Sequence, residues 1–574
     1  MKYSLKYSFR YSLLVILLLS VALGLGWRVI SLHIFEQDFL RHQGEARTLR
    51  VVSTAPYRGM ITDRNGEPLA ISTPVDSIWV NPKEFMAEHP QLLSLASLLD
   101  LSIDQLMEKI NRNANREFVY LQRHAPPQLA QQVKALEVPG IHLKPEYRRY
   151  YPAAEVTAHV LGFTDIDDHG QEGLELTFDS WLSGMPGSKR VIKDRRGREV
   201  QILEGIQDMH SGQDVVLSLD QRLQYLAYRE LKAAVLEHQA LAGSAVILDV
   251  HTGEILAMVN QPSFNPNLRL KLPLDGRFRN RAVTDLMEPG SIIKTFSVAS
   301  ALQNGQVKPT TMIDTSPGWM KVAGHPVRED NQKNFGVIDV ATILKKSSNV
   351  GVSKLTLALP SETLWQTYRN VGFGAATGSN FPGEASGTLV RPPNSSFMLA
   401  TLAFGYGMNV TPLQIAQAYA VLGAGGNKHP VTFLKQPGKP NAEQVLDPVV
   451  ARQVVDMLAQ VVSEGSGKKA QVLGYPMAGK TGTVRKISSG VYQEDSHVAV
   501  FAGLAPASHP RFAIVVVVDD PKHNQNIYYG SQIAAPIFSK IAAGAMRIFN
   551  IAPEVVNSQD LRVAQFEDGT SFHE

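Results

Sequence analysis

The N-terminal segment from Tyr11 to Trp27 contains no charged residue in 17 positions. As an α-helix that rises about 1.5 Å per residue, it would be roughly 25 Å long, which is close to the thickness of the hydrocarbon core of a bilayer. Beyond Arg28, whose long side chain can reach the membrane surface, Val29, Ile30 and Leu32 lengthen the apolar stretch. We therefore expect residues 11–32 to form a single transmembrane helix, and the remainder of the chain to fold outside the bilayer.

The residues around this segment indicate its orientation. Lys2, Lys6 and Arg10 precede it, and Lys and Arg are enriched on the cytoplasmic side of membrane helices. We therefore expect residues 1–10 to be cytoplasmic. The alternative is a cleaved signal peptide, for which Ala22-Leu23-Gly24 offers a weak cleavage site, but the apolar character past that site favours an uncleaved anchor.

The composition excludes several kinds of chemistry. Cysteine is absent from all 574 residues, which excludes disulfides, thiol catalysis, Fe–S clusters and cysteine-ligated zinc. The 16 histidines form no HExxH-like cluster, so we expect neither a metal nor a cofactor. Lys and Arg number 56 against 53 Asp and Glu, without a basic run, which argues against nucleic-acid binding.

Beyond the anchor, the chain divides into two regions and a tail. Residues 33–215 mix strand, turn and helix patterns without a catalytic constellation, and we expect an elongated, non-catalytic pedestal of mixed α/β structure. Residues 216–556 begin with two β-rich runs, Ser244–Val250 and Glu254–Val259, and end with three more, with helix patterns between them. This order predicts an α+β domain with a five-stranded antiparallel sheet flanked by helices. Residues 557–574 form a polar tail.

Ser291 and Lys294 form an S-x-x-K motif directly after Glu288-Pro289-Gly290, which is typical of a helix start. Residues three apart share a helix face, so Lys294 can reach the Ser291 hydroxyl. A lysine can activate a serine if burial lowers its pKa. Alone, the pair is equally a helix cap beside a solvated lysine, and the second copy from Ser466 to Lys469 shows that the pattern also arises elsewhere.

Ser347-Ser348-Asn349 forms an S-x-N motif. The Ser347 hydroxyl could pass protons between a nucleophile and a leaving group, and the Asn349 amide could hold a substrate backbone. Alone, a polar loop between helices is the commoner explanation. A second S-x-N, at Ser263–Asn265, precedes the candidate nucleophile and fits no pattern.

Lys480-Thr481-Gly482-Thr483 contains the K-T-G sequence. The lysine charge and the hydroxyls could anchor a carboxylate, and a glycine in a strand lets another backbone approach closely. The same residues, read from Gly474, match the P-loop expression GxxxxGK[ST]. A P-loop must open a helix, whereas the residues after Thr481 favour a strand, so we reject nucleotide binding.

The three motifs occur in the order S-x-x-K, S-x-N and K-T-G, which is the signature set of serine acyl-transfer enzymes that react with penicillin. With these motifs the chain resembles the class B penicillin-binding proteins, most closely the division-specific D,D-transpeptidases of Gram-negative bacteria. Two positions depart from that pattern: Val484, where alanine is usual, and Ser531, where a second glycine is expected. In the first region, four segments resemble the N-terminal sequence motifs of that family: residues 58–70, 148–152, 158–163 and 173–175.

The resemblance implies a reaction and a role for each candidate residue. Ser291 would attack the penultimate D-alanine carbonyl of a peptidoglycan stem pentapeptide, with Lys294 as the base. Ser347 would relay protons with Lys480, and Asn349 would hold the donor peptide. A neighbouring stem's amine would then resolve the acyl-enzyme as a cross-link.

The resemblance also implies how the substrate is bound. Thr481, Gly482 and Thr483 would form the substrate-binding strand, with both threonines contacting the terminal carboxylate. Backbone N–H groups of Ser291 and Thr483 would form an oxyanion hole. β-Lactam antibiotics would acylate the same serine, without a metal or a cofactor.

By the same resemblance the protein would cross the inner membrane once, with a periplasmic catalytic domain. Its partners would be stem peptides, β-lactams, a SEDS-family membrane glycosyltransferase and other division proteins. Alternatives are a β-lactamase, a D,D-carboxypeptidase, a β-lactam-binding sensor and a catalytically idle division scaffold. The long first region argues against a small secreted hydrolase, and residues 1–10 are too short for a signalling domain.

Overall fold

The computed structural model describes residues 2–54, 56–193, 199–271, 276–391, 395–438, 440–488, 491–522 and 528–554. The chain forms two compact units: Met1–Arg58 with Ser183–Gly212, and Gly59–Leu182 with Gln213–Glu574. The predicted polar tail, residues 557–574, lies outside the described residues.

The α-helices range from single turns to the long N-terminal helix. They are α1 (Lys2–Ile30), α2 (Gln37–Thr48), α3 (Leu92–Leu98), α4 (Ile103–Asn111), α5 (Pro127–Ala135), α6 (Ala158–Leu161), α7 (Gly173–Thr177), α8 (Asp179–Leu182), α9 (Gln221–Glu237), α10 (Arg281–Thr284), α11 (Lys294–Gln303), α12 (Val340–Lys346), α13 (Asn349–Leu357), α14 (Ser361–Asn370), α15 (Ser396–Leu402), α16 (Pro412–Gly423), α17 (Pro448–Ser463) and α18 (Ala534–Ile548).

The strands lie mainly in three sheets, with short two-stranded pairs between them. They are β1 (Leu49–Thr54), β2 (Ile61–Thr62), β3 (Pro68–Val80), β4 (Val119–Ala125), β5 (Ile141–Tyr150), β6 (Gly187–Lys193), β7 (Glu199–Gln207), β8 (Val215–Val216), β9 (Ala242–Asp249), β10 (Ile255–Gln261), β11 (Met312–Asp314), β12 (Trp319–Val322), β13 (His325–Arg328), β14 (Val337–Asp339), β15 (Thr388–Leu389), β16 (Met408–Asn409), β17 (Asn427–Lys428), β18 (Glu443–Gln444), β19 (Ala478–Ser488), β20 (Val491–Ala505) and β21 (Phe512–Asp519).

The first unit contains the predicted apolar helix. From Phe9 to Phe35 the chain is helical and is long and apolar enough to cross a membrane. Its side chains from Phe9 to Ile30 are exposed, and a helix that is apolar all round requires lipid or other protein around it. The unit also holds an antiparallel sheet in the order β1-β6-β7. The prediction of an N-terminal apolar helix is therefore confirmed.

The second unit begins with a mixed sheet in the order β4-β3-β2-β8, with β5 also paired to β3. Arg149 in β5 of this sheet forms a buried ion pair with Glu175 in α7, with Nε and Oε1 2.7 Å apart. Arg149 Nη1 also donates to the Gly59 carbonyl at 2.8 Å and to Ser72 Oγ at 3.2 Å. A buried charge needs such partners because its desolvation is costly.

The second sheet of this unit is five-stranded and antiparallel, in the order β10-β9-β21-β20-β19, as predicted. Val515 and Val517 belong to the hydrophobic cluster that contains α16 side chains. Val516 and Val518 belong to the cluster that contains α9 and α18 side chains. Helices thus cover both faces, which explains the continuous apolar run in β21, where each fully buried valine contributes on the order of 1.5–3 kcal/mol.

The edge strand β19 places the third motif beside the first. Gly482 lies in β19, and a Cβ added there would be 3.1 Å from Ile292 Cγ2 and 3.4 Å from the Pro289 carbonyl oxygen. Helix α11, which begins at Lys294, is buried from Lys294 to Leu302. The sheet edge and the start of this buried helix therefore meet where the motifs lie.

Candidate active site

Ser291 lies in a short 3-10 helix, Gly290–Ile293, that leads directly into α11. The N-cap of this turn is Pro289 and Ser291 is its second residue, so Ser291 lies at the helix start that the sequence pattern predicts. In a 3-10 helix, residues i and i+3 eclipse each other, which puts Ser291 and Lys294 on one side. Ser291 is half-buried, at the start of an otherwise buried helix.

The turn before Ser291 is enclosed by close backbone contacts. Gly290 has a φ of +55°, and a Cβ at this position would lie 2.6 Å from Val484 Cγ2. Gly405 has a φ of +96°, and a Cβ there would lie 2.2 Å from the Gly290 carbonyl oxygen. A side chain would therefore clash at Gly290 and at Gly405. Val484, one of the two departures from the family pattern, packs directly against the turn that carries Ser291.

Lys294 connects the first and second motifs. Its Nζ donates to the Ser347 carbonyl at 2.7 Å, to Ser347 Oγ at 3.2 Å and to Asn349 Oδ1 at 2.6 Å. The side chain is only 1% exposed. In the described residues, the hydrogen bonds of Lys294 Nζ thus go to the second motif and none goes to Ser291.

The second motif lies at the junction of α12 and α13. Ser347 caps α12 with left-handed φ and ψ of 61° and 42°, a conformation that costs a non-glycine residue roughly 1–2 kcal/mol. Ser348 caps α13 and accepts a hydrogen bond from Gly351 N at 2.8 Å. The strained turn brings both Ser347 oxygens into hydrogen-bonding distance of Lys294, and such strain is common at functional sites.

Glu329 is a functional candidate that the sequence analysis missed. This carboxylate is 3% exposed and accepts hydrogen bonds from Asn349 N at 2.7 Å and Val350 N at 3.3 Å. It also accepts one from Ser348 Oγ. The carboxylate thus binds the N-terminus of α13, where anions are stabilised. The only sequence signal is the charged triplet that it forms with Arg328 and Asp330.

The two site lysines have strongly lowered pKa values. Burial lowers the pKa of Lys294 to about 7, against the opposing effect of the Glu329 and Asp330 carboxylates. Lys480 is fully buried, and burial together with the charge of Lys294 lowers its pKa well below the usual value. Lys480 Nζ donates to the Thr481 carbonyl at 3.2 Å. A buried amine beside another positive charge favours its neutral form, as Lys480 does beside Lys294.

The hydroxyls of the third motif each have a defined partner. Thr481 Oγ1 lies 3.0 Å from Ser466 Oγ. Thr483 Oγ1 accepts a hydrogen bond from Gly530 N at 3.0 Å. The residues after Thr481 continue as a strand to Ser488, so the helix that a P-loop requires is not formed here.

The side chains of the second S-x-N pattern are hydrogen-bonded to backbone groups. Ser263 Oγ donates to the Glu155 carbonyl at 2.7 Å, and Asn265 Oδ1 accepts from Asn267 N at 3.0 Å, which closes a turn. Across the part of the chain that the structure describes, no group of three or more His, Asp or Glu side chains could hold a metal ion.

Two family models match the chain. Residues 243–543 match the penicillin-binding protein transpeptidase domain, and residues 53–217 match the penicillin-binding protein dimerisation domain. The two matched ranges follow one another along the chain and do not overlap.

Relatives match nearly the whole chain. It is 43% identical over 551 residues to peptidoglycan D,D-transpeptidase FtsI of Escherichia coli (strain K12), covering 95% of this chain and 92% of that protein. It is 39% identical over 548 residues to the probable peptidoglycan D,D-transpeptidase PbpC of Pseudomonas aeruginosa, covering 95% and 96%.

Solved structures share the fold. Penicillin-binding protein 3 of Mycobacterium tuberculosis, complexed with aztreonam, superposes with a TM-score of 0.67 at 27% identity, covering 88% of this chain and 100% of that one. The transpeptidase domain of Burkholderia pseudomallei penicillin-binding protein 3 gives 0.54 at 37% identity, covering 59% and 98%. From the motifs, the fold and these relatives, the chain belongs to the penicillin-binding protein transpeptidase family.

Proposed function

We propose that this protein is a peptidoglycan D,D-transpeptidase that cross-links stem peptides of the septal cell wall through an acyl-enzyme on Ser291, and that β-lactams acylate the same residue. The observation that carries the proposal is the position of Lys294. It is a buried amine with a pKa of about 7 that begins the nucleophile helix and is hydrogen-bonded to the second motif. Its burial and contacts suit a general base at neutral pH.

In acylation, Ser291 Oγ attacks the carbonyl carbon of the penultimate D-alanine, and Lys294 accepts the hydroxyl proton. The bond to the nitrogen of the terminal D-alanine breaks, that nitrogen receives a proton, and free D-alanine leaves. A lysine with its ordinary pKa of about 10.4 would be almost wholly protonated at pH 7, whereas a pKa of about 7 leaves roughly half of it neutral.

Ser347 is suited to return the proton. Its Oγ lies 3.2 Å from Lys294 Nζ, so a proton can pass through the hydroxyl toward the leaving nitrogen. We assign Lys480 the role of the second amine in this relay, because its own pKa depends on the charge of Lys294. Asn349 keeps Lys294 in place through Oδ1 and holds the donor peptide with its remaining amide hydrogen.

Strand β19 binds the C-terminal end of the donor stem peptide. We assign Thr481 and Thr483 to the terminal carboxylate, and Gly482 to the position where the strand approaches the nucleophile turn. The backbone N–H groups of Ser291 and Thr483 stabilise the developing oxyanion, and each such donor is worth on the order of 3 kcal/mol.

The second half-reaction separates a transpeptidase from its alternatives. An amine of a neighbouring stem attacks the ester carbonyl, the new amide bond forms as the ester C–O bond to Ser291 breaks, and the proton lost by the amine is returned to Ser291 Oγ. A carboxypeptidase would use water at the same step, and a β-lactamase would hydrolyse the β-lactam acyl-enzyme. The 43% identity to a peptidoglycan D,D-transpeptidase over 95% of the chain supports the amine as acceptor.

For the whole chain, we propose residues 1–10 as a cytoplasmic tail, 11–32 as the inner-membrane anchor and 33–215 as the non-catalytic pedestal. Residues 216–556 would be the periplasmic transpeptidase domain and 557–574 a polar tail. By family analogy, a SEDS-family glycosyltransferase and other division proteins are the partners.

Product analysis tests this function. The full-length protein in detergent is incubated with glycan strands that carry stem pentapeptides, together with a glycosyltransferase that supplies them. The proposal expects cross-linked dimers and free D-alanine from the wild type and neither from Ser291→Ala. Tetrapeptide without dimer would overturn it in favour of a carboxypeptidase.

The division role is tested in the cell of origin by depletion. Filamentous cells with blocked septa are the expected result, whereas rounded cells or no change in shape would contradict the role in septal synthesis.

A further inference from the structure

Ser466 begins the second S-x-x-K sequence of the chain, and the reaction leaves it without a role. It lies in the loop between α17 and the 3-10 turn Lys468–Ala470. Its side chain is exposed, while its Oγ lies 3.0 Å from Thr481 Oγ1 in the third motif. Lys469, the motif's lysine, is exposed, so burial does not turn it into a base as it does Lys294.

The loop that carries Ser466 is held in place by the ends of α17 and α12. Gly467 N donates to the Val461 carbonyl at 2.9 Å, which anchors the loop to the end of α17. Glu464 pairs with Lys345 Nζ at 2.9 Å, two residues before Ser347. A Cβ on Gly465 would lie 2.9 Å from the Lys345 carbonyl oxygen, so the loop packs closely on the end of α12, just before the second motif. Ser466 is therefore positioned by the fold.

The two threonine hydroxyls of the third motif differ in what they can offer a ligand. Thr483 Oγ1 already accepts the Gly530 N–H, so its own hydrogen is left to donate. Thr481 Oγ1 faces another hydroxyl, Ser466 Oγ. A bond between two hydroxyls uses one hydrogen, and whichever of them donates it, the other keeps a hydrogen for a third partner. Donation along such a chain strengthens the outer bond.

We propose that Ser466 is a substrate-positioning residue, and that its hydroxyl and that of Thr481 act as one unit that holds the carboxylate of the terminal D-alanine and of a β-lactam. This inference rests on the proposed function and names an added determinant of the same site. A carboxylate accepts several hydrogen bonds, and bonds to a charged acceptor are stronger than neutral ones. Ser466 orients Thr481 so that its hydrogen points at the ligand, or donates in its place.

If Ser466 positions the carboxylate, its removal should affect only those ligands that carry the carboxylate. A merely structural role for Ser466 would affect every ligand alike. A penicillin and its methyl ester have the same reactive ring, and differ in whether this negative charge is present. Comparing their acylation rates therefore separates the two roles.

The experiment measures second-order acylation of the full-length protein by a penicillin and by its methyl ester. Ser466→Ala should slow acylation by the penicillin about tenfold and change the ester's rate by less than about twofold. Ser466→Thr, which keeps the hydroxyl, should restore the penicillin rate. The matched control is Ser463→Ala, a change at an exposed serine at the end of α17, which should alter neither rate.

Several outcomes overturn the inference. Equal slowing of penicillin and ester by Ser466→Ala, or a slowing that follows a loss of thermal stability, would show a structural role. Unchanged rates for both ligands would overturn it as well. If the wild type were not acylated at all, the proposed function would fail together with this inference. If the wild type is acylated normally and Ser466→Ala does not change the rates, only the inference fails.

Discussion

Lys294 Nζ lies 2.6 Å from Asn349 Oδ1, and this hydrogen bond joins the start of the nucleophile helix to the start of α13. The Asn349 amide is oriented by both of its ends, because Nδ2 donates to the Arg328 carbonyl at 2.9 Å. An ammonium or amine can donate only to the oxygen end of an amide, so the network determines which way the side chain points.

This contact predicts the effect of Asn349→Asp. The new carboxylate would accept the same hydrogen bond but would favour the charged form of Lys294, so the pKa of Lys294 should rise above about 7. Acylation by a penicillin should then need a higher pH, and its pH midpoint should move upward. Asn349→Ala is the control, since it removes the contact without adding charge. A midpoint that moves downward in Asn349→Asp would contradict the assignment of the base.

The wild-type enzyme should show a pH dependence set by Lys294. Burial lowers its pKa to about 7, and only the neutral amine can accept the Ser291 proton. The acylation rate constant should therefore rise with pH through a midpoint near 7, falling roughly fivefold from pH 7 to pH 6. A stopped-flow profile with a chromogenic β-lactam measures this, and a midpoint near the ordinary lysine value would refute it.

Glu329→Gln should move that profile in the opposite direction to Asn349→Asp. The Glu329 carboxylate favours the charged form of Lys294, so its removal should lower the lysine's pKa and shift the midpoint to lower pH. The variant should also lose on the order of 1.5–3 kcal/mol of stability, because Asn349 N and Val350 N donate to different carboxylate oxygens, and glutamine keeps only one uncharged acceptor oxygen for them.

Asp330→Asn is the matched control for Glu329→Gln. Asp330 acts on Lys294 in the same direction but is exposed and lacks the contacts to α13 in the described residues. It should shift the midpoint downward without a measurable loss of stability. If both variants destabilised the protein equally, the positioning role of Glu329 would be wrong.

Gly405→Ala should disable the nucleophile turn. Its Cβ would lie 2.2 Å from the Gly290 carbonyl oxygen, so the backbone around Ser291 would have to shift. We expect a fall in acylation rate of at least about tenfold. The control is Gly407→Ala, which has a similar positive φ of +80° but open space around its Cβ, and should cost only about 1–2 kcal/mol of stability. Equal acylation rates in the two variants would contradict this packing argument.

Arg149→Ala should destabilise the protein without changing the acylation chemistry. It removes the cation that pairs with buried Glu175, at a cost of about 3–5 kcal/mol. Thermal unfolding should show a marked fall in the melting temperature, while the folded fraction should acylate at the wild-type rate. Arg149→Lys should recover part of the loss. A variant that kept its melting temperature would show that this ion pair does not hold the fold.

The sequence predicted the sheet well because the pattern of its strands is local. The apolar run at Val515–Val518 could be read as a strand buried on both faces, and the structure places it third of five strands. The apolar helix was equally clear. Both predictions depend on neighbouring residues alone, which is the information that a single sequence carries.

The contacts around the motifs could not be predicted in the same way. Glu329 contacts Ser348 and Asn349 because the β12–β13 hairpin packs against α13. No spacing of residues in the sequence predicts that contact. Nothing in the sequence places the second S-x-x-K near the other motifs, but Ser466 lies beside Thr481 because α17 packs against β19. Such contacts arise from tertiary packing between distant segments.

The most direct test of the account is covalent labelling by a fluorescent penicillin, followed by mass spectrometry of the labelled peptide. The account predicts one labelled serine, Ser291, in the wild type and no labelling in Ser291→Ala, with the mutant still folded. Labelling that persisted in Ser291→Ala, or moved to Ser466, would contradict it.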